Sequence, residues 1–173
     1  MDDGIQAYEL MTSVLRGQTS MMCQTHANLL DSAKRSGEAL YLRQRAVALE
    51  PASFTYNGLG DTLRKLRRHA EAADAYAAAT RCDDQQAETF ARWAGSLQQT
   101  GDDAQAIVHA RAALALDGQH LLALRVLAYS LERTGETGEA VRAYEAVLRI
   151  DPDDHWARNR LEPLMQRVPG PLP

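Results

Sequence analysis

The stretch that decides the fold is Leu121–Pro152, LLALRVLAYSLERTGETGEAVRAYEAVLRIDP. Its first half has leucines spaced three and four residues apart, which form one apolar stripe of a helix: Leu124, Leu127 and Leu131. Its second half has a further stripe of the same kind: Ala140, Tyr144 and Val147. Gly135 lies between the stripes, where a helix ends easily, and Pro152 ends the second stripe. The stretch therefore predicts two successive helices joined by a short turn.

The same pattern recurs upstream at an interval of 34 residues. Small residues follow this interval in two columns: Ala72, Ala106 and Ala140, and Gly60, Ala94 and Ala128. A period of this size marks an array of one supersecondary unit. We expect the two columns to lie where paired helices touch backbone to backbone, because a larger side chain there would push the helices apart.

The unit resembles the tetratricopeptide repeat, whose pattern is W-x2-L-G-x2-Y, A-x3-F and P within 34 residues. The two preceding units carry the resemblance in Tyr56-x2-Leu59-Gly60-x2-Leu63 with Ala72-x3-Tyr76, and in Phe90-x2-Trp93-Ala94-x2-Leu97 with Ala106-x3-Ala110. In the later of these, Trp93 is expected to fill the volume that Ala110 leaves at a usual aromatic position. The resemblance implies an all-α fold, a tetratricopeptide-repeat α-solenoid of antiparallel helix pairs.

A fourth unit at the front departs from the pattern. It reads Cys23-x2-His26-Ala27-x2-Leu30, then Ala39-x3-Arg43. His26 stands where leucine is usual and is interpreted as a core histidine. Arg43 stands where an aromatic residue is usual, and Leu42 is expected to cover the gap. Terminal repeats are often atypical because one side lacks a neighbour.

We therefore predict a single array over residues 1–173. Its parts are a leading helix at 4–17, a degenerate repeat at 20–52, repeats at 53–86, 87–120 and 121–154, a closing helix at 155–166 and a tail at 167–173. Pro163 is expected to end or kink the closing helix, because proline removes a helical hydrogen bond. Asp153 or Asp154 can cap its start.

The composition argues against several classes of protein. The net charge of −4 and the pI of about 5.7 disfavour broad nucleic-acid binding, which needs many cationic contacts with phosphate. No apolar run approaches the ~20 residues that span a bilayer. The chain starts Met1-Asp2-Asp3-Gly4, where a secretory signal would be basic and then apolar. We expect a cytoplasmic protein that binds neither nucleic acid nor membrane, with Cys23 and Cys82 as small buried thiols.

The sequence favours a binding protein over an enzyme. The five histidines form no helical i, i+4 pair, and no Cys-x2-Cys spacing occurs. The acidic pairs at the predicted turns are interpreted as helix caps: Asp83-Asp84, Asp102-Asp103 and Asp153-Asp154. No nucleophile elbow or glycine-rich phosphate loop is present in the sequence. We therefore predict no catalytic residue, no metal and no cofactor.

In the tetratricopeptide-repeat family the first helix of each repeat lines a concave face that usually binds an extended or helical peptide. The resemblance implies these partner-binding residues: Asn28, Asn57, Asp61, Arg64, Arg92, Arg125, Tyr129 and Arg133. Further lining positions are Gln24, Phe54, Glu88, Gly95, Gln99, Leu122, Trp156 and Arg160. Asparagine and arginine suit a peptide backbone because they supply several donors. Arg92, Arg125 and Arg133 predict a protein or peptide ligand that is acidic.

One subclass of the family, the chaperone-tail binders, grips a terminal carboxylate with a clamp of lysine and asparagine. Asn28 and Arg92 stand at matching places. Gln24, Gly58 and Glu88 stand where lysine, asparagine and lysine are expected. The sequence therefore predicts no tight binding of a C-terminal carboxylate tail.

Several alternatives stay open. The basic run Arg64–His69 either complements a helix dipole or forms a docking patch for an acidic partner or phosphate. The start Tyr56-Asn57-Gly58-Leu59-Gly60 and the leading helix look like those of type III secretion chaperones. An accessory domain of a separate enzyme and a scaffold that forms homo-oligomers through the N-terminal helix are two further alternatives.

Overall fold

The computed structural model describes residues 19–83 and 85–166. The described residues form helices joined by turns, without a strand among them. The chain divides into two compact units, Met1–Asp84 and Gln85–Pro173, called here the N-terminal unit and the C-terminal unit. The predicted leading helix at 4–17 and the tail at 167–173 lie outside the described residues.

Each unit is built from helix pairs. The N-terminal unit contains α1 (Ser20–Ser32), α2 (Ser36–Leu49), α3 (Ser53–Lys65) and α4 (His69–Cys82). The C-terminal unit contains α5 (Ala87–Thr100), α6 (Asp103–Leu116), α7 (Leu121–Thr134), α8 (Thr137–Ile150) and α9 (His155–Met165). Within each unit, consecutive helices pack against each other, and the first helices α1 and α3, and α5 and α7, also touch. The predicted all-α fold of antiparallel helix pairs is confirmed.

The two small-residue columns lie where the sequence places them. All the alanines of both columns are fully buried: Ala72, Ala94, Ala106, Ala128 and Ala140. At Gly60 an added Cβ would lie 2.6 Å from Cε1 of the Tyr76 ring. Such a distance is shorter than van der Waals contact, so the close approach of α3 and α4 depends on the absent side chain.

The turns inside the helix pairs use two kinds of residue at one position. In the C-terminal unit Gly101 and Gly135 end α5 and α7 with φ of 89° and 86°. At the matching positions of the N-terminal unit, Lys34 and Arg67 both have φ of 61°. Glycine adopts this left-handed region without steric cost, whereas a residue with a Cβ is strained there.

Arg43 corrects the prediction that Leu42 covers a gap at the aromatic position. The Arg43 side chain itself fills that position and is only 5% exposed. Its guanidinium lies 3.5 Å from the Asp31 carboxylate and donates to Oδ1 of Asn28 at 2.6 Å. Leu42 is buried as well, but it packs in the neighbouring cluster of α1 and α2. A buried guanidinium is tolerated because a carboxylate and amide oxygens balance it.

Asp31 ties this buried charge to the next helix. Its Oδ2 accepts a hydrogen bond from the Thr62 hydroxyl at 3.0 Å and lies 3.0 Å from Nζ of Lys65. Burial opposes ionisation of Asp31, but hydrogen bonds from Ser36, Lys65 and Thr62 outweigh it and hold its pKa below the ordinary value. Burial also lowers the pKa of Arg43. Arginine nevertheless remains protonated in proteins at neutral pH, so the pair is charged.

Gly58 makes room for Arg43. An added Cβ at Gly58 would lie 2.7 Å from Nη1 of Arg43 and equally close to Oε1 of Gln24. These two side-chain atoms are themselves hydrogen-bonded to each other. Gly58 stands at the clamp position where asparagine is expected. The side chains of Arg43 and Gln24 occupy the space that a side chain at this position would need.

Trp93 does not fill the volume beside Ala110. Ala110 packs with Ala94, Ala106 and Val126. The Trp93 ring instead stacks on His109, with 3.5 Å between ring centroids and 21° between the ring planes. Burial lowers the pKa of His109, so the imidazole in this stack is neutral at pH 7. The prediction was wrong because α7 supplies Val126 to the space that the aromatic residue usually takes.

The closing helix continues through Pro163. The helix α9 ends at Met165, although proline was expected to end or kink its regular part earlier. Leu164, beyond the proline, is 4% exposed and belongs to the main apolar cluster of the C-terminal unit. Burial of this side chain favours the last turn and offsets the hydrogen bond that proline removes.

The two cysteines differ from each other. Cys23 is buried, and burial raises the pKa of its thiol. Cys82 is exposed, contrary to the prediction, at the last position of α4. His26 is buried, as expected for a core histidine.

Candidate functional site

The four predicted site residues of the N-terminal unit lie on the touching helices α1 and α3. Asn57 donates from Nδ2 to the Ser53 hydroxyl at 3.4 Å, within its own helix. Asp61 accepts a hydrogen bond from the Tyr76 hydroxyl at 2.7 Å and lies 4.0 Å from Arg64. These contacts hold the side chains in place on the surface of the unit.

Asn28 is exposed, and the buried Arg43 fixes the orientation of its amide. Because Oδ1 of Asn28 accepts from the guanidinium, the amide nitrogen Nδ2 must lie on the other side of the group. Gln24 is oriented in the same way and donates from Nε2 to the carbonyl of Phe54 at 3.2 Å. The amide nitrogen of Asn28 therefore points away from Arg43 on an exposed residue, whereas Gln24 is buried and hydrogen-bonded.

Four predicted site residues of the C-terminal unit lie on α5 and α7, and Tyr129 among them contacts Trp156 and Arg160 of α9. We call this surface the α5–α7–α9 face: Arg92, Gly95, Leu122, Arg125, Tyr129, Arg133, Trp156 and Arg160. Every arginine on it is paired with a carboxylate of the same unit. The pairs are Arg92–Glu88 at 2.6 Å, Arg125–Asp154 at 2.7 Å, Arg133–Asp103 at 3.2 Å and Arg160–Glu132 at 3.1 Å.

These ion pairs change what the arginines can do. Their charges are balanced locally, so the arginines of the α5–α7–α9 face give an acidic ligand little net attraction. The same pairs fix each guanidinium fork and aim its remaining donors. Burial opposes ionisation of Asp154, but the Ala157 amide and Arg125 outweigh it and lower the pKa of Asp154. Arg92 and His120 likewise lower the pKa of Glu88 against the effect of partial burial.

An aromatic stack occupies the part of the face between α7 and α9. The Arg160 guanidinium lies 4.3 Å from the Tyr129 ring centroid and 5.4 Å from that of Trp156. The two rings are 6.1 Å apart, and Trp156 also meets the buried Tyr144 edge-on. Trp156 keeps 39% of its surface exposed. An aromatic ring that is rigidly held and still exposed is typical of a binding anchor.

Two further positions shape the face. Gly95 of α5 has no side chain, and an added Cβ would meet only Cγ2 of Val126, at an ordinary 3.7 Å. Leu122, at the start of α7, is 39% exposed. They add an exposed apolar side chain and a position without a side chain to a face whose arginines are already paired.

The sequence did not indicate the carboxylates that hold the arginines. Asp154 was expected only as a cap, and it does cap α9 by accepting from the Ala157 amide at 3.0 Å. Its second oxygen accepts a hydrogen bond from Arg125, 29 residues earlier. A contact over this sequence separation is not predicted by any local spacing. Asp103 pairs with Arg133, and Glu132 pairs with Arg160, across similarly long stretches of sequence. Asp102, of the other predicted acidic pair, caps α6 through the Gln105 amide at 3.1 Å.

The described residues offer no cluster of three or more histidine, cysteine or acidic side chains that could hold a metal ion. Within the same ranges no helix is long and apolar enough to cross a membrane.

Helix pairs with small residues at each contact, repeated every 34 residues, define a helical-repeat protein. Residues 121–161 match the family model of the tetratricopeptide repeat. No curated protein matches the chain in sequence. The chain is therefore a protein of tetratricopeptide-repeat fold, and its matched repeat is the one with which the regular pattern ends.

Solved structures share the fold at low sequence identity. The protein MamA superposes with a TM-score of 0.81 at 18% identity, over 85% of this chain and 81% of its own. YrrB, a tetratricopeptide-repeat protein with an unusual peptide-binding site, gives 0.78 at 21% identity, over 94% and 84%. The first such domain of Spaghetti (RPAP3), bound to the HSP90 peptide SRMEEVD, gives 0.63 at 22% identity, over 67% and 94%.

Proposed function

We propose that the chain is a non-catalytic protein-interaction module that binds a peptide segment of a partner on the surface formed by its first helices. The main site in this proposal is the α5–α7–α9 face of the C-terminal unit. The observation that carries it is the stack of Tyr129, Trp156 and Arg160, because it combines a fixed guanidinium with a partly exposed indole.

The expected mode of binding follows from the different roles of the apolar and the charged side chains on this face. Trp156 and Leu122 supply apolar anchors, and burial of an aromatic anchor dominates the affinity of many interfaces. The paired arginines supply oriented donors for peptide carbonyls without costly ordering on binding, because their carboxylates already hold them. Gly95 leaves space for a ligand backbone or side chain. A segment with apolar side chains and free carbonyl groups fits this surface better than a strongly acidic one.

The solved structures support a peptide ligand. One of them contains a bound peptide, and another is described by its peptide-binding site. In the N-terminal unit, Asn28 and Asn57 are proposed as donors to a peptide backbone, and Asp61 and Arg64 as polar groups beside them. Asn28 fits this role best, because Arg43 holds its amide with the donors outward.

The test compares one substitution at two glycines. Gly95→Leu adds bulk to the α5–α7–α9 face, where a Cβ has room. Gly138→Leu adds the same bulk in the first turn of α8, where an added Cβ has no neighbour within 4 Å. A phage-displayed library of random 12-residue peptides is selected on the unmodified chain, and the enriched peptides are measured by fluorescence polarisation.

We expect Gly95→Leu to weaken the selected peptides at least tenfold and Gly138→Leu to leave them unchanged. Equal affinity for both variants would contradict the proposed site. If the library yields no peptide that binds, the proposed function itself is wrong. Charge reversal is a poorer test here, since Arg125→Glu would place a carboxylate against the buried Asp154 and disturb the start of α9.

A second probe tests the prediction about carboxylate clamps. The peptide SRMEEVD should bind with a dissociation constant well above micromolar, weaker than about −8 kcal/mol. The physical reason is that Gln24 is buried and Gly58 has no side chain, so two clamp positions offer nothing to a terminal carboxylate. Micromolar binding of this peptide would show that other residues replace the clamp.

A further inference from the structure

Lys34 and Arg67 occupy a position that the C-terminal unit gives to glycine. The four residues follow the first helix of each pair and share a positive φ: Lys34, Arg67, Gly101 and Gly135. Both non-glycine residues at this position are cationic, and both lie in the N-terminal unit.

A side chain with a Cβ is disfavoured in the left-handed region, so such residues persist where something other than local stability favours them. Neither Lys34 nor Arg67 forms an ion pair or a side-chain hydrogen bond with any residue of the described ranges, and both are exposed. The described part of the unit, residues 19–83, therefore gives no structural reason for a cation at either place.

The two residues belong to one edge of the N-terminal unit. The ends of α1 and α3 are adjacent, because Nζ of Lys65 lies 3.0 Å from the Asp31 carboxylate. We call the surface around these ends the basic edge: Lys34, Arg35, Arg64, Lys65, Arg67 and Arg68. Arg35 pairs with Glu38 at 2.6 Å and Arg68 with Glu71 at 2.6 Å. Lys34 and Arg67 have no carboxylate partner among the residues that the structure describes.

The matching turns of the C-terminal unit carry charge of the opposite sign. After the left-handed residue, the N-terminal unit has Arg35 and Arg68, whereas the C-terminal unit has Asp102 and Glu136. Charge at this edge is therefore not a requirement of the turn itself. It distinguishes one unit from the other.

We propose that the basic edge of the N-terminal unit is a second docking surface, separate from the α5–α7–α9 face, and that it takes an acidic segment of a partner protein. Charge complementarity selects this partner, because the edge carries six cations and two of them have no carboxylate partner among the described residues. A nucleic acid is a poorer fit, since the whole chain carries a net charge of −4 and long polyanions need many phosphate contacts.

The probe is a fluorescein-labelled 12-residue peptide with six glutamates, measured by polarisation at about 50 mM salt, where exposed charges are weakly screened. The double variant Lys34→Gly/Arg67→Gly removes both unpaired cations and relieves the strained φ values, so the fold is retained. Each exposed ion pair is worth up to about a fivefold change in affinity. We expect the double variant to bind the peptide about threefold to tenfold more weakly.

The matched control is Arg45→Gln/Arg81→Gln, which changes the net charge by the same amount at exposed positions in the middle of α2 and near the end of α4. Equal weakening by the two double variants would mean a general charge effect and would overturn the proposal, as would a peptide that does not bind the unmodified chain. A single-stranded RNA of twelve nucleotides and vesicles with anionic lipid are measured alongside. Tighter binding of either one, lost in Lys34→Gly/Arg67→Gly, would assign the edge to that partner and overturn the acidic protein segment.

The basic edge shares Arg64 with the proposed peptide site of the N-terminal unit, but it is separate from the main site on the α5–α7–α9 face. Gly95→Leu should leave the acidic peptide bound, whereas Lys34→Gly/Arg67→Gly should leave the library-selected peptides bound. Failure of either proposal is therefore visible without the other.

Discussion

The first and the last helix pairs of the described chain fill the same position of the repeat in different ways. In the first helix pair Arg43 occupies it with Asp31 as counterion, and Gly58 gives it space. In the last pair Tyr144 occupies it, fully buried, with its hydroxyl donating to Glu132 at 2.6 Å. In these two pairs the position holds a large side chain with one satisfied polar end, whereas in the third pair it holds Ala110, which packs with Val126. The repeat therefore accepts different side chains there. It does not demand an aromatic ring.

The largest expected difference between Arg43 and Tyr144 is the stability lost when the polar end of the side chain is removed. Arg43→Met leaves Asp31 buried with only part of its support and should lower the free energy of unfolding by about 3–5 kcal/mol. Tyr144→Phe removes one hydrogen bond and should cost about 0.5–1.5 kcal/mol. Urea unfolding followed by circular dichroism measures both.

A partner variant separates charge from packing. Asp31→Asn added to Arg43→Met removes the uncompensated charge and should recover part of the loss. No recovery would mean that Arg43 matters through its volume alone. Trp93 and Trp156 both lie in the C-terminal unit, so their fluorescence shows whether that unit unfolds separately.

The next effect contrasts glycines inside two first helices. Gly60→Ala brings a Cβ against the buried Tyr76 ring and should cost about 1–3 kcal/mol by overpacking. The low end is expected, because Ala128 and Tyr144 coexist at the matching positions of the C-terminal unit. Gly95→Ala meets only ordinary contacts and should stabilise its helix by about 0.5–1 kcal/mol. Thermal unfolding of both variants should show shifts of opposite sign.

A smaller effect is expected at the left-handed turn residues. Gly101→Ala should cost about 1 kcal/mol, since its φ of 89° strains any residue with a Cβ. Lys34→Gly should raise stability by up to about 1 kcal/mol, because strain relief exceeds the added freedom of the unfolded chain. A loss of stability in Lys34→Gly would show that the lysine side chain supports the fold after all.

The smallest effect concerns pH and the charge of Asp154. Because the folded chain lowers the pKa of Asp154, its charge stabilises the C-terminal unit above about pH 4 and ceases to do so as pH falls further. Asp154→Asn keeps a side chain that can cap α9 and should cost less than about 1 kcal/mol at pH 7. The difference from the unmodified chain should vanish near pH 2. A difference that persists there would point to the cap rather than to the charge.

The fold could be predicted from the sequence because small residues at a fixed spacing mark the contacts between paired helices. The columns of Ala72 and of Gly60 are small, periodic and buried, and their spacing is visible without a structure. Arg43 could not be predicted as a core residue, because its tolerance depends on Asp31 and Gly58, which lie in two other helices. The glycine at position 58, two residues before the glycine that the repeat pattern requires at position 60, was the signal in the sequence for a large buried neighbour.

The candidate site could be predicted only in part. The sequence was enough to place Arg125 and Tyr129 on one surface, because they are four residues apart on one helix. The pairing of Arg125 with Asp154 joins two helices across 29 residues, and a periodic pattern carries no information on such a contact. The resulting charge balance therefore required the structure, whereas the basic run Arg64–His69 was visible in the sequence.

The buried Arg43 has a consequence for exchange of modules between repeat proteins. Repeats of one array are usually treated as interchangeable blocks, but Arg43 restricts what can follow its helix pair. The residue that matches Gly58 is Arg92 in the next repeat and Val126 in the one after. A chimera that joined α1 and α2 directly to either later repeat would set the guanidinium against a second cation or a branched apolar side chain. In recombination the first two repeats would therefore be inherited together.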